Sequence, residues 1–207
     1  MNTYRKNARI VGILFIIATA AGVLSFSFLG AVGGPDYLTA MAENENDILI
    51  GAMLVLLLAF TCAGIAIWLY PVLRQHNEAL ALGAAGFRVI EAVFHTASVV
   101  ALLSLLSLSR VYVEAGMPDA ARFETVGTLL LESRDWAINV VGTFAWLVGA
   151  LMYYVVFFRS KLIPRWLSIW GIAGVPLSLI ATILLLFHVL DSMSTIHTAL
   201  HMPIAAQ

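Results

Sequence analysis

The chain has 207 residues, 61% of them hydrophobic and 11% charged, with a net charge of −1 and a mean hydropathy of +0.95. Soluble domains carry roughly 25% charged residues, so the composition excludes an ordinary water-soluble domain. The few basic residues are scattered, which argues against nucleic acid as a partner and leaves membrane lipids and a small ligand or ion.

The first apolar run follows Tyr4-Arg5-Lys6-Asn7-Ala8-Arg9 and extends from Ile10 to about Val32. The basic start is like that of a secretory signal, but a signal's apolar region is only about 7–15 residues long. The run is therefore expected to be retained as the first transmembrane helix. Crossing a hydrocarbon core of about 30 Å takes about 20 helical residues, and five stretches qualify: residues 10–32, 48–70, 83–108, 135–158 and 166–189. In lipid each must be helix, because an open strand leaves backbone groups unpaired. A further apolar stretch at residues 196–207 covers only about half the core and reads as a sixth helix cut short. The expected fold is an all-α membrane protein, a polytopic helical bundle with five full transmembrane helices and an incomplete sixth, forming one domain over residues 1–207.

The connections set the orientation. Arg5, Lys6, Arg9, Arg74, Arg159, Lys161 and Arg165 fall on one side, Arg110, Arg122 and Arg134 on the other, and Arg88 within a span. Basic residues in short loops favour the cytoplasm, so the N-terminus is expected there, in a cell membrane of the bacterial inner-membrane type. Residues 33–47 and 109–134 then form outer loops. Within the longer loop Phe123, Val126, Leu129 and Leu130 recur at a spacing that suits an amphipathic helix starting near Pro118, either interfacial or extending the fourth span. The small residues Ala18 and Gly22, Gly83 and Gly86, Gly142 and Gly149, and Gly171 and Gly174 suit close helix packing. Trp136, Tyr153, Tyr154, Trp166 and Trp170 lie near span ends, as an aromatic belt does, with no ligand implied. No internal repeat supports an inverted-repeat transporter. The single cysteine, Cys62, cannot form an intrachain disulfide and reads as a small buried hydrophobe.

Ionisable residues inside a span are costly and mark function by default. Arg88, Glu91 and His95 stand at i, i+3 and i+7 on the third span, within about 60° of one another on one face. Arg88 and Glu91 lie roughly 8–12 Å into the membrane and His95 roughly 18 Å in, with Arg88 long enough to snorkel. Three readings stay open: a self-neutralising pair that locks packing, a polar cavity for an ion or polar headgroup, and a proton-carrying Glu91–His95 pair, since histidine titrates near neutrality. A second cluster sits at the outer surface. Glu132, Arg134 and Asp135 open the fourth span, with Asn139 one turn on, while His188 and Asp191 close the fifth and His197 and His201 share a face of the sixth. His188, Asp191, His197 and His201 are transition-metal ligand types, though no Glu stands between the last two as in a zinc-protease motif. Bis-histidine haem is disfavoured, because His95 and His188 differ in depth. There is no G-x-S-x-G, phosphate loop or paired carboxylate arrangement.

Four motifs then become informative together: Tyr70-Pro71-Val72-Leu73-Arg74-Gln75-His76-Asn77-Glu78, Gly86-Phe87-Arg88-Val89-Ile90-Glu91, Ser133-Arg134-Asp135-Trp136, and Leu162-Ile163-Pro164-Arg165-Trp166-Leu167-Ser168. In this order they resemble the bacterial membrane family of domain of unknown function 4386, over nearly the whole chain. The resemblance implies six helices and a slightly greater length, with Pro203-Ile204-Ala205-Ala206-Gln207 like the start of the last helix. It carries over no catalytic roles. Arg88, Glu91, Arg134 and Asp135 fall on the family-like motifs, whereas His95, His197 and His201 do not.

The leading expectation is a non-enzymatic membrane protein with a polar site inside its bundle, formed from Arg88, Glu91, His95, Arg134, Asp135 and Asn139, for small-ligand or ion binding, transport or sensing. The alternatives are a metal-dependent membrane enzyme using the outer His/Asp cluster and a purely structural or assembly subunit.

Overall fold

The computed structural model describes residues 3–34, 36–116, 120–190 and 194–205, with only the backbone at residues 3, 4, 31, 197, 198 and 205. Helix α1 (Thr3–Phe28) leads through a 3-10 turn (Gly30–Gly33) into the short α2 (Tyr37–Glu43). Then come α3 (Glu45–Leu73), α4 (Glu78–Glu114), α5 (Ala120–Asp135), a π-helical segment (Trp136–Gly142), α6 (Thr143–Ser160), α7 (Arg165–Leu186) and α8 (Thr195–Ala205). No strand occurs among the described residues.

Among the described residues five helical stretches are long and apolar enough to cross a membrane: 5–28, α3, α4, the continuous 120–160 helix and α7. Their surfaces are as apolar as their interior. Ile16 is 72% exposed, Phe26 75% and Phe60 68%, an arrangement that aggregates in water and is at rest in lipid. The helices pack in sequence, α1 on α3, α3 on α4, α4 on α6, α6 on α7 and α7 on α8. Residues 5–9, 74–77 and 159–165 therefore gather at one end of the bundle, the near end, and the 3-10 turn, α2 and the C-terminal end of α4 at the other, the far end.

The spans differ from expectation chiefly in length. At 1.5 Å per residue α4 measures about 55 Å, nearly twice the hydrocarbon core. It begins five residues before the expected boundary because Asn77 caps it, accepting from the Leu80 N–H at 2.9 Å. It ends at Glu114, so Arg110 stands on a helix and not in a loop. Helix α5 runs on into the fourth span, the second of the two dispositions expected for it. Phe123 and Leu130 turn inward, while Val126 and Leu129 stay exposed. These overlong helices need a core beyond the membrane, and α2 supplies one. Its Leu38 and Met41 are buried with Leu105 and Leu106 of α4, and Ser109, fully buried on α4, donates to the Leu38 carbonyl. Arg110 also reaches across to Glu45 at the start of α3, Nε donating to Oε2 at 2.9 Å.

Candidate functional site

Arg88 is 6% exposed and Glu91 5%. Both belong to α4, one helical turn apart, and Arg88 Nη1 stands 2.8 Å from Glu91 Oε2. The contact is an ion pair by distance but is not directed as a hydrogen bond, so Glu91 Oε2 and Arg88 Nε both lack a hydrogen-bond partner. The pair is enclosed by Cys62 from α3, which lies against Glu91, and by Tyr153 and Tyr154 from α6, which face the guanidinium. Gly149 makes this enclosure possible. A Cβ there would stand 3.2 Å from the Phe87 Cβ and 3.6 Å from the Arg88 Cδ, so a glycine lets α6 close onto α4 beside the arginine. Arg88 does not snorkel to the surface. Its stem is held under α6 and its head is turned into the bundle.

In front of Arg88 is a cavity of about 520 Å³. Its walls come from α1, α3, α6 and the Leu162–Ile163 turn, and they are mostly apolar, with Phe15, Trp68 and Trp146 among them. Polar groups on it are few. Asn7, 5% exposed, donates through Nδ2 to the Trp68 carbonyl at 3.4 Å. Tyr153 is 8% exposed and its hydroxyl has no hydrogen-bond partner. The cavity size is within the usual range of small-molecule sites, roughly 300–1,000 Å³.

The other candidate residues stand elsewhere. The His95 Nδ1 lies 3.0 Å from the Glu91 backbone oxygen, the i−4 carbonyl of its own helix. A proton on Nδ1 donates there and not to the Glu91 carboxylate. The ring faces Gly142 at the end of the π segment. Arg134 pairs with its neighbour Asp135, Nη1 to Oδ1 at 2.8 Å. Asp135 and Asn139 line a second cavity of about 300 Å³ at the far end, with Glu132, Trp136 and His188. His188 has a left-handed backbone, φ 55°, and meets Trp136 edge-on with 5.5 Å between ring centroids. Asp191 and the side chain of His197 lie outside the described residues, and His201 is half-buried on α8. Among the described residues no three His, Cys, Asp or Glu side chains converge as metal ligands.

The expected ligand set thus divides. Arg88 lines the near cavity, with Glu91 behind it, while Asp135 and Asn139 line the far one. The sequence reading left out Asn7, Trp68, Trp146 and Tyr153. Tyr153 and Tyr154 read from the sequence as part of an aromatic belt, yet both line the cavity; Trp166 and Trp170 are 62% and 47% exposed. The π segment was also unforeseen. One local signal is Gly142, where a Cβ would stand 3.0 Å from the Ala137 carbonyl oxygen. Another is Thr143, whose hydroxyl donates to the Ile138 carbonyl, five residues back, at 3.1 Å. π-Bulges of this kind occur frequently at functional sites.

Apolar helices of spanning length and a lipid-compatible surface define a multi-pass α-helical integral membrane protein. A model of the family described as domain of unknown function (DUF4386) matches residues 10–207, and the chain belongs to that family. No curated protein and no solved structure matches it.

Proposed function

We propose that the chain binds a small ligand or ion inside the membrane, at Arg88 and the cavity before it, and serves transport or sensing through that site. The observation that carries the reading is a nine-tenths-buried guanidinium whose Nε has no partner, set on a cavity of about 520 Å³. A buried donor left unmade costs about 1–3 kcal/mol, more when charged, and a ligand acceptor in the cavity removes that cost. We place the near end in the cytoplasm, because Arg5, Lys6, Arg9, Arg74, Arg159, Lys161 and Arg165 gather there, in a membrane of the bacterial inner-membrane type.

The test is native mass spectrometry of protein released gently from its own membrane, comparing the parent with Arg88→Gln and Glu91→Gln. Glu91→Gln keeps side-chain volume, and Arg88→Gln keeps a polar head that can still donate. The expected result is a bound small molecule present in the parent and missing from both variants, and missing too from the double variant Arg88→Met/Glu91→Leu, which strands no charge and is expected to keep the parent's unfolding midpoint. Retention of every adduct by both variants makes the pair structural and ends the reading.

A further inference from the structure

Resting on that reading, we infer that the ligand is a single-chain amphiphile with an anionic oxygen headgroup, which inserts from the lipid between α1 and α6.

The headgroup follows from Arg88. A guanidinium offers five N–H donors in a planar fork, and Glu91 stands beside Nη1. The Nε is buried and without a hydrogen-bond partner, so part of the fork's donor capacity is left unused for an oxyanion to take up. Carboxylates and phosphates match that fork with two parallel, charge-assisted hydrogen bonds. The unpartnered Tyr153 hydroxyl, on the same cavity, supplies a further donor. Glu91 keeps the empty site neutral and repels a second negative charge, which favours a singly charged head over a multiply charged one.

The chain follows from the walls. Beyond Asn7, Arg88 and the tyrosines the cavity is lined by Val11, Phe15, Leu69, Val72 and Phe157, with Gly12 leaving room on the α1 side. A free inorganic anion has no use for such a surface, whereas an alkyl chain gains about 0.8 kcal/mol per buried CH₂ on leaving water. The route follows from packing. Helix α1 lies along α3 and has no comparable packing on α6, although both line the cavity, so the gap between them is the cavity's side. At its inner edge, Trp146, Ala150 and Tyr154 belong to the hydrophobic cluster that includes Ile204 of α8.

Trp68 and Trp146 on the cavity wall make the inference measurable. The full chain, purified in non-ionic detergent, is titrated with a dibrominated long-chain fatty acid, whose bromines quench nearby indoles. Its methyl ester removes the charge, acetate removes the chain, and a single-chain lysophosphatidic acid competes as the phosphate form. The expected result is saturable quenching by the acid, reduced in a Trp68→Phe/Trp146→Phe variant, with the ester at least about tenfold weaker and acetate without effect as a competitor. Arg88→Gln is expected to weaken the acid by a similar factor. Gly12→Leu keeps the test decisive if Arg88→Gln fails to fold. Gly12 lines the cavity and a Cβ there meets nothing within 4 Å, so a leucine is expected to take up cavity space and to abolish saturation. Competition by lysophosphatidic acid and by the fatty acid alike supports the shared chemistry, and competition by only one assigns the source. Equal quenching by acid and ester, unchanged quenching in Gly12→Leu, or no saturable quenching at all, as in a cavity occupied by protein, overturns the inference. The broader reading is separable, since an Arg88-dependent adduct that is not an anionic amphiphile would survive these results.

Discussion

Arg88 with Glu91 near one end of α4, and Arg110 with Glu45 near the other, are the same two side-chain types in opposite surroundings. Arg110 and Glu45 come from different helices, are 47% and 33% exposed, and touch at two points, so they fasten α4 to α3 where both leave the membrane. Arg88 and Glu91 are buried and belong to one helix. An i, i+3 pair fastens nothing across the bundle. The exposed pair also stands beside a continuous core of α2, α3 and α4 residues with Ser109 closed onto Leu38, whereas the buried pair stands beside the larger cavity and the unpartnered Arg88 Nε and Tyr153 hydroxyl. Packing therefore accounts for the exposed pair and leaves the buried one unexplained, which is why function is assigned to Arg88.

The comparison predicts its largest effect at Glu91. Removing one partner of a buried pair leaves an uncompensated charge and costs about 3–5 kcal/mol, while replacing both by apolar residues of similar volume is often neutral or stabilising. Glu91→Ala is expected to destabilise by that amount in denaturant unfolding of detergent-solubilised protein. The double variant Arg88→Met/Glu91→Leu is expected to unfold at or above the parent's midpoint while losing ligand. A double variant as unstable as Glu91→Ala would show that the pair is structural after all.

Gly149 comes next. Its hydrogen lies against Phe87 and the Arg88 stem, and overpacking a tight contact costs typically about 1–3 kcal/mol. Gly149→Val is expected to lower stability within that range and to weaken ligand binding by moving α6 off Arg88. By contrast Gly86, on the same helix as Arg88, has open space at its Cβ position, so Gly86→Ala is expected to be neutral or slightly stabilising through helix propensity. Equal losses at the two glycines would remove the special status of the Gly149 contact.

Much of this architecture was legible in the sequence, for a physical reason. A bilayer demands uninterrupted apolar length, so the spans stand out by hydropathy, and an intramembrane charge such as Arg88 or Glu91 stands out against them. What lies beyond the hydrocarbon is less legible. Residues 37–43 are polar enough to read as a loop, yet they fold because Leu38 and Met41 bury against α4, and the spacing that marks the 120–135 helix does not show that Phe123 and Leu130 join the same core. The cavity was illegible because it is a relation between helices distant in the chain. Asn7 and Trp68 are 61 residues apart, and Tyr153 looks like an interfacial tyrosine until α6 is placed against Arg88. Asp135 and Asn139 lie by span order at the opposite end from Arg88, and only their polarity joins them to it as one ligand set.

The smallest effect is expected at the exposed pair, and it is the control for the whole comparison. Surface ion pairs contribute about 0–1 kcal/mol and are screened by salt. Arg110→Ala and Glu45→Ala are each expected to cost less than about 1 kcal/mol, with the double variant no worse than the sum of the singles. The difference from the parent should shrink as ionic strength rises from low to about 0.5 M, and ligand binding should stay unchanged. Neither variant strands a buried charge, because both partners already reach solvent. Unfolding measured at two salt concentrations decides it. A loss approaching that of Glu91→Ala, insensitive to salt, would mean that the far end is held by electrostatics and not by the Leu38, Met41 and Leu105 core, and would take away the contrast on which the assignment of Arg88 rests.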